Sequence, residues 1–160
     1  MTAYLWETVL QKDSFLDILQ KFVSYQKEVK KTTLPDGKVR TDTTEKLIFP
    51  RYHQLDVVRK LVHHTREHGP GHNYLIQHSA GSGKSNSIAW TAYRLASLHD
   101  DENRAIYNSV IIVTDRKVLD SQLQDTIDSF DHTLGSVVLI DEKKSSKDLL
   151  KAVNDGKRIL

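Results

Sequence analysis

The first apolar pattern in the chain is helical. Phe15, Leu16, Ile18, Leu19, Phe22 and Val23 recur at three- and four-residue spacing. They predict a helix from Asp13 or Ser14 to about Val29, with one of those first two residues as its N-cap. Lys30 to Glu45 is polar, and Leu34-Pro35-Asp36-Gly37 is a turn signal between Thr-rich stretches. That segment predicts a short hairpin or a linker, and it places a boundary between residues 1–45 and 46–160. Pro50 then opens a second helix, Arg51 to His68, with Tyr52, Leu55, Val58, Leu61 and Val62 on its apolar side. Gly69-Pro70-Gly71 ends it.

Beyond that break the pattern alternates. Asn73 to Gln77 reads as a short buried strand and Ser85 to Leu98 as a helix. Ser109 to Thr114 is β-branched and almost wholly apolar, as a parallel strand covered on both faces is. Arg116 to Phe130 is a helix whose Leu119, Leu123 and Ile127 form a core stripe. Ser136 to Ile140 is another apolar strand, Ser146 to Asn154 a helix capped by Gly156, and Lys157 to Leu160 the start of a further strand. Strand and helix in alternation imply an α/β fold: a parallel sheet with flanking helices, preceded by a helical segment. The chain stops inside its fourth predicted strand of this series, which reads as a fragment of a larger domain.

Composition narrows the class. The 160 residues are 38% hydrophobic and 28% charged, enough for one globular core. No apolar run approaches the roughly 20 residues of a membrane span, and no secretory leader opens the chain. The absence of cysteine excludes disulfides and thiolate zinc sites and fits a cytoplasmic protein. A net charge of +2 does not by itself announce a nucleic-acid binder.

The chemistry centres on QHSAGSGKSNSIAW, Gln77 to Trp90. A phosphate-binding P-loop reads G-x-x-x-x-G-K-[ST]; here Gly83-Lys84-Ser85 supplies the end, and His78 stands where the first glycine belongs. Gly81, Ser82 and Gly83 supply backbone N–H groups that can turn toward phosphates without a Cβ in the way at the glycines. The helix that begins near Lys84 points its positive end at them. Lys84 can reach the β- and γ-phosphates of ATP, and Ser85 can hold Mg²⁺.

Around this loop the sequence resembles a known family. YLIQHSAGSGKSNSIAWTAYRLASL, Tyr74 to Leu98, is similar to motif I of the motor subunit of type I restriction enzymes, which are superfamily 2 helicase-like translocases. RYHQLDVVRKL (Arg51 to Leu61) resembles the stretch just upstream, and VIIVTDRKVLDSQLQDTIDSF (Val110 to Phe130) the motif Ia region. DEKKSSKDLLKAVNDGKRIL (Asp141 to Leu160) resembles the approach to the next motif, and LWETVLQKDSFLDILQKFV (Leu5 to Val23) the link between nuclease and motor. The resemblance implies the first part of a RecA-like P-loop NTPase domain. Its parent is an ATP-dependent type I site-specific deoxyribonuclease that translocates on double-stranded DNA, with modification and specificity subunits as partners.

It also implies residue roles. Gln54, thirty residues before Lys84, is the adenine-reading amide, with Phe49 or Tyr52 stacking on the base. Thr114 and Arg116 lie along the DNA backbone, where phosphate contacts position without reading sequence. No catalytic residue of the parent is assigned within the chain, which alone is expected to lack turnover.

Two motifs compete with this reading. Val137 to Ile140 followed by Asp141-Glu142 imitates a strand ending in Mg²⁺ and water-activating carboxylates, but Lys143-Lys144 follow. If those carboxylates are the real pair, the chain is a compact P-loop kinase or NTPase; a non-catalytic remnant of a truncated gene is the other alternative. His64-Thr65-Arg66-Glu67-His68 matches the zinc pattern H-x-x-E-H, yet no third ligand declares itself.

Overall fold

The computed structural model describes residues 2–33, 38–114, 123–124, 126–127, 137–138, 140 and 144–160. They fall into two units, Met1–Pro50 and Arg51–Leu160.

In the first unit a helical turn, Thr2–Tyr4, runs into a π-helical turn, Leu5–Val9. Helix α1 spans Lys12–Lys21. Its N-cap is Gln11, whose side-chain oxygen accepts the Ser14 N–H at 2.8 Å. The expected Asp13 or Ser14 cap is therefore two or three residues late. Ile18 and Phe22 are fully buried, whereas Leu16 and Leu19 are exposed.

The helix does not run on to Val29. Ser24–Thr33 is strand β1, paired antiparallel with β2, Val39–Ile48. The register runs from Ser24 opposite Ile48 to Thr33 opposite Val39. A partner ten residues long outweighs helical spacing, because strand preference is set by cross-strand neighbours. Tyr25 faces Leu47, and Lys27 faces Glu45 at 3.9 Å. A hydrogen bond to Glu45 raises the Tyr25 pKa. The turn residues 34–37 lie outside the described set.

In the second unit helix α2 spans Tyr52–His68 and α3 spans Lys84–Ala96. They pack on one another. Leu55, Val58, Leu61, Val62 and Thr65 are buried on α2, and Ala89, Trp90 and Ala92 on α3. Each large side chain buried this way contributes about 1.5–3 kcal/mol. Tyr52, expected on the apolar side, is 68% exposed instead: within the first turn of α2 it is Gln54 and Leu55 that are buried. Helix α4, Ser146–Asn154, carries its own N-terminal bond: Asp148 accepts the Ser145 N–H at 2.7 Å. That contact lowers the Asp148 pKa. Gly156 turns the chain out of α4 with φ +70°.

The expected parallel sheet is not formed among the described residues, where isolated parallel bridges stand in its place. Val110 and Val137 each bridge Ile159 in parallel sense. The Val110 N–H donates to the Arg158 carbonyl, Leu160 N–H to Val110, Ile112 N–H to Leu160 and Val138 N–H to Ile159, all at 2.7–2.9 Å. Ile159 between them is buried. Residues 109–114 are not covered on both faces, since Ile111 is exposed and Val113 is 88% exposed.

Asn73–Gln77 forms no strand, and Leu75 is 95% exposed. A strand needs a neighbouring backbone to satisfy its N–H and C=O groups, and no described segment pairs with these residues. Of the predicted helix Arg116 to Phe130, positions 123, 124, 126 and 127 are described and helical, with Leu123 and Ile127 buried. Leu119 lies outside. The Tyr93 hydroxyl donates to the Ile127 carbonyl at 2.8 Å, which ties that helix to α3.

Candidate nucleotide site

The loop between residue 77 and α3 is shaped by two left-handed glycines. Gly81 has φ +72°, and Gly83, the N-cap of α3, has φ +80°. Such backbone costs an L-residue about 1–2 kcal/mol. At Gly83 sterics add to that, because a Cβ there would stand 2.5 Å from Gln54 Nε2. With the chain turned this way α3 begins at Lys84, and its first-turn amides have no partner within the helix.

Four carbonyls of this loop, those of His78, Ser79, Ser82 and Gly83, accept hydrogen bonds from side chains of the protein itself. Lys84 Nζ donates to the carbonyls of Ser79 at 2.9 Å and His78 at 3.3 Å. Gln54 Nε2 donates to Gly83 at 2.9 Å and Ser82 at 3.2 Å. Its Oε1 accepts the Arg51 N–H at 2.8 Å, the backward half of a capping box on α2. Gln54 is only 2% exposed. So the amide expected to face an adenine has both its ends tied to protein backbone.

His53, which the sequence did not single out, lies beside it. Its Nε2 is 3.1 Å from the Ser82 carbonyl, and its ring meets His78 edge to face at 4.9 Å. His78 Nδ1 and Ser82 Oγ are buried with no hydrogen-bond partner among the described residues. The one sequence signal for this corner was the departure of His78 from the glycine of the loop motif.

Ser85 is half-buried in the first turn of α3, within the loop's reach. Tyr52 is exposed and stands edge-on to His53. Thr114 is half-buried at the end of the 109–114 segment. Arg116, Asp141 and Glu142 lie outside the described residues. A cavity of about 410 Å³ opens along the flank of α3, between Ser87, Ile88, Thr91 and residues 110–113. Its walls are mainly aliphatic, and His78 and Lys84 line its end at the loop.

The family model described as SWI2/SNF2 ATPase matches residues 53–160, more than half of the chain. The chain belongs to the SWI2/SNF2 ATPase family. The matched span opens one residue before Gln54 and contains the whole glycine loop. SWI2/SNF2 membership makes this a helicase-like, ATP-binding domain. Searches of the curated proteins and of the solved structures return no match.

The histidines at the end of α2 contact one another and Tyr74. His64 and His68 stack at 4.2 Å. His64 Nδ1 lies 2.8 Å from the Tyr74 hydroxyl, and His68 Nδ1 lies 3.1 Å from the His64 carbonyl. Glu67 pairs with His63 at 3.4 Å. No group of three metal-ligating side chains exists among the described residues. Partial desolvation and then the neighbouring His68 and His72 lower the His64 pKa. Among the described residues no helix is long and apolar enough to cross a membrane.

Proposed function

We propose that this chain is the nucleotide-binding part of an ATP-driven motor on double-stranded DNA, of the type found in type I restriction enzymes. The observation that carries the nucleotide site is the loop geometry. Two left-handed glycines and four inward-held carbonyls turn the Gly83 and Lys84 N–H groups away from α2 to meet an anion at the start of α3, while the Ser82 N–H donates to the Ser79 carbonyl at 3.4 Å. Lys84 exchanges the Ser79 and His78 carbonyls for the β- and γ-phosphates, a stronger charge-assisted contact. Ser85 is the residue that would hold Mg²⁺, whose chemistry is to neutralise charge on the phosphates.

Tyr52 offers an exposed ring for the base. Gln54 reads adenine in this scheme only by releasing one of its loop contacts. Thr114 and Arg116 follow an apolar segment and are proposed to contact DNA phosphates. The restriction-enzyme assignment, with its modification and specificity subunits, rests on the ordered sequence blocks around the loop and on family membership in the helicase-like class.

Calorimetry with Mg-ATP tests the site. Wild-type protein binds, and Lys84→Ala binds about 10- to 100-fold more weakly, the worth of one charged hydrogen bond. Equal binding by the two proteins defeats the assignment. A salt titration of duplex DNA binding tests the motor reading, since phosphate contacts give a steep dependence on salt.

A further inference from the structure

We propose that His53 is a positioning residue of the nucleotide loop, acting through the Ser82 carbonyl. The inference rests on the nucleotide reading above and extends it to a residue outside the loop.

The reasoning starts from the peptide plane. In a trans peptide the C=O and the following N–H point in opposite directions. Whatever pulls the Ser82 carbonyl toward α2 therefore pushes the Gly83 N–H away from α2. The same holds for the Gly83 carbonyl and the Lys84 N–H. Gln54 Nε2 has two hydrogens and holds both carbonyls, Gly83 at 2.9 Å and Ser82 at 3.2 Å, the latter at the long end of the hydrogen-bond range. His53 Nε2, at 3.1 Å, supplies a second donor to the Ser82 carbonyl.

His53 is itself fixed. It sits in the first turn of α2, next to Gln54, with the edge-on His78 ring against it at 4.9 Å and an interplanar angle of 86°. His78 thus gives the imidazole where a P-loop has glycine a purpose: it braces the donor. On the other side of the loop Lys84 holds the His78 and Ser79 carbonyls. The loop is clamped from two sides, and its N–H groups are aimed before a phosphate arrives. Aiming of this kind strengthens binding by removing the reorganisation cost.

The donor role requires hydrogen on Nε2. That gives a test needing no variant. Side-chain ¹⁵N NMR of the wild-type protein at neutral pH should show the Nε2–H form of His53; a predominant Nδ1–H form overturns the proposal.

The second test uses binding. His53→Phe keeps a ring against His78 and removes the donor. It should weaken both Mg-ATP and inorganic tripolyphosphate about three- to ten-fold, as the loss of one neutral hydrogen bond does. His53→Gln, which restores an N–H donor, should recover part of the loss for both ligands. A residue acting on the base would weaken ATP and leave tripolyphosphate untouched, and that result refutes the positioning role. Unchanged binding of both ligands refutes it as well. Lys84→Ala measured alongside separates the two levels. If Lys84→Ala loses binding and His53→Phe does not, only the His53 role falls. If Lys84→Ala binds as wild type does, the nucleotide site falls and takes this role with it.

Discussion

The β1–β2 hairpin and the nucleotide loop are held together in opposite ways. In the hairpin the backbone does the work: ten residues face ten, and side chains such as Lys27 and Glu45 only decorate the ladder. In the loop the backbone cannot pair with itself, and Gln54, His53 and Lys84 hold its carbonyls one at a time. Residues 73–77, just before the loop, pair with no described backbone and lie exposed, with the Tyr74 hydroxyl against His64. Regular structure tolerates side-chain changes because its hydrogen bonds are anonymous. A loop fastened by named side chains does not.

That contrast can be broken by substitution. The largest effect belongs to Gly83→Ala. The left-handed backbone alone costs about 1–2 kcal/mol, and the new Cβ, 2.5 Å from Gln54 Nε2, must also displace Gln54. Denaturant unfolding should show it as the most destabilising of these variants, with Mg-ATP binding lost. In a Gln54→Ala background the same change should cost less, because nothing remains to be displaced. Strict additivity would mean the two residues are not in conflict.

Gln54→Ala alone comes next. It leaves the Ser82 and Gly83 carbonyls and the Arg51 N–H with fewer partners, for a cost of about 1–3 kcal/mol. A change below a few tenths would show that the loop holds its shape unaided.

A smaller effect is expected from acid. The His64 pKa lies below its ordinary 6.5, so the unfolded chain takes up the proton more readily than the folded one. Stability is complete above pH 6.5 and declines as the pH falls below it. The Tm should drop over that range and drop less in His64→Gln. Hydrogen exchange should find the loosening near Tyr74, which His64 contacts, and none in the hairpin. A Tm independent of pH between 7 and about 5 would contradict the assignment.

The smallest effect is at Lys27→Ala. A cross-strand pair on an exposed hairpin contributes about 0.2–1 kcal/mol, and this one spans 3.9 Å. A loss as large as that of Gln54→Ala would erase the distinction between the two regions.

The sequence alone determined the loop and most helices. Gly83, Lys84 and Ser85 match the end of the phosphate-loop pattern, Gly81 and Gly83 both take the left-handed backbone, and the SWI2/SNF2 match spans all four. Ser146–Asn154 is the predicted helix to the residue, and α2 and α3 differ from prediction by one or two positions. Helices are legible because their hydrogen bonds join residues four apart, so spacing and caps are all local.

Tertiary structure decided the rest. Ser24–Thr33 became a strand against its helical spacing because Val39–Ile48 lies beside it. Asn73–Gln77 did not become one despite its apolar run, because no described backbone lies beside it. Gln54 was visible as an amide thirty residues before Lys84, but its grip on Ser82 and Gly83 was not, and neither was that of His53. A strand or a side-chain clamp is a relation between distant residues, and only the folded chain brings its two ends together.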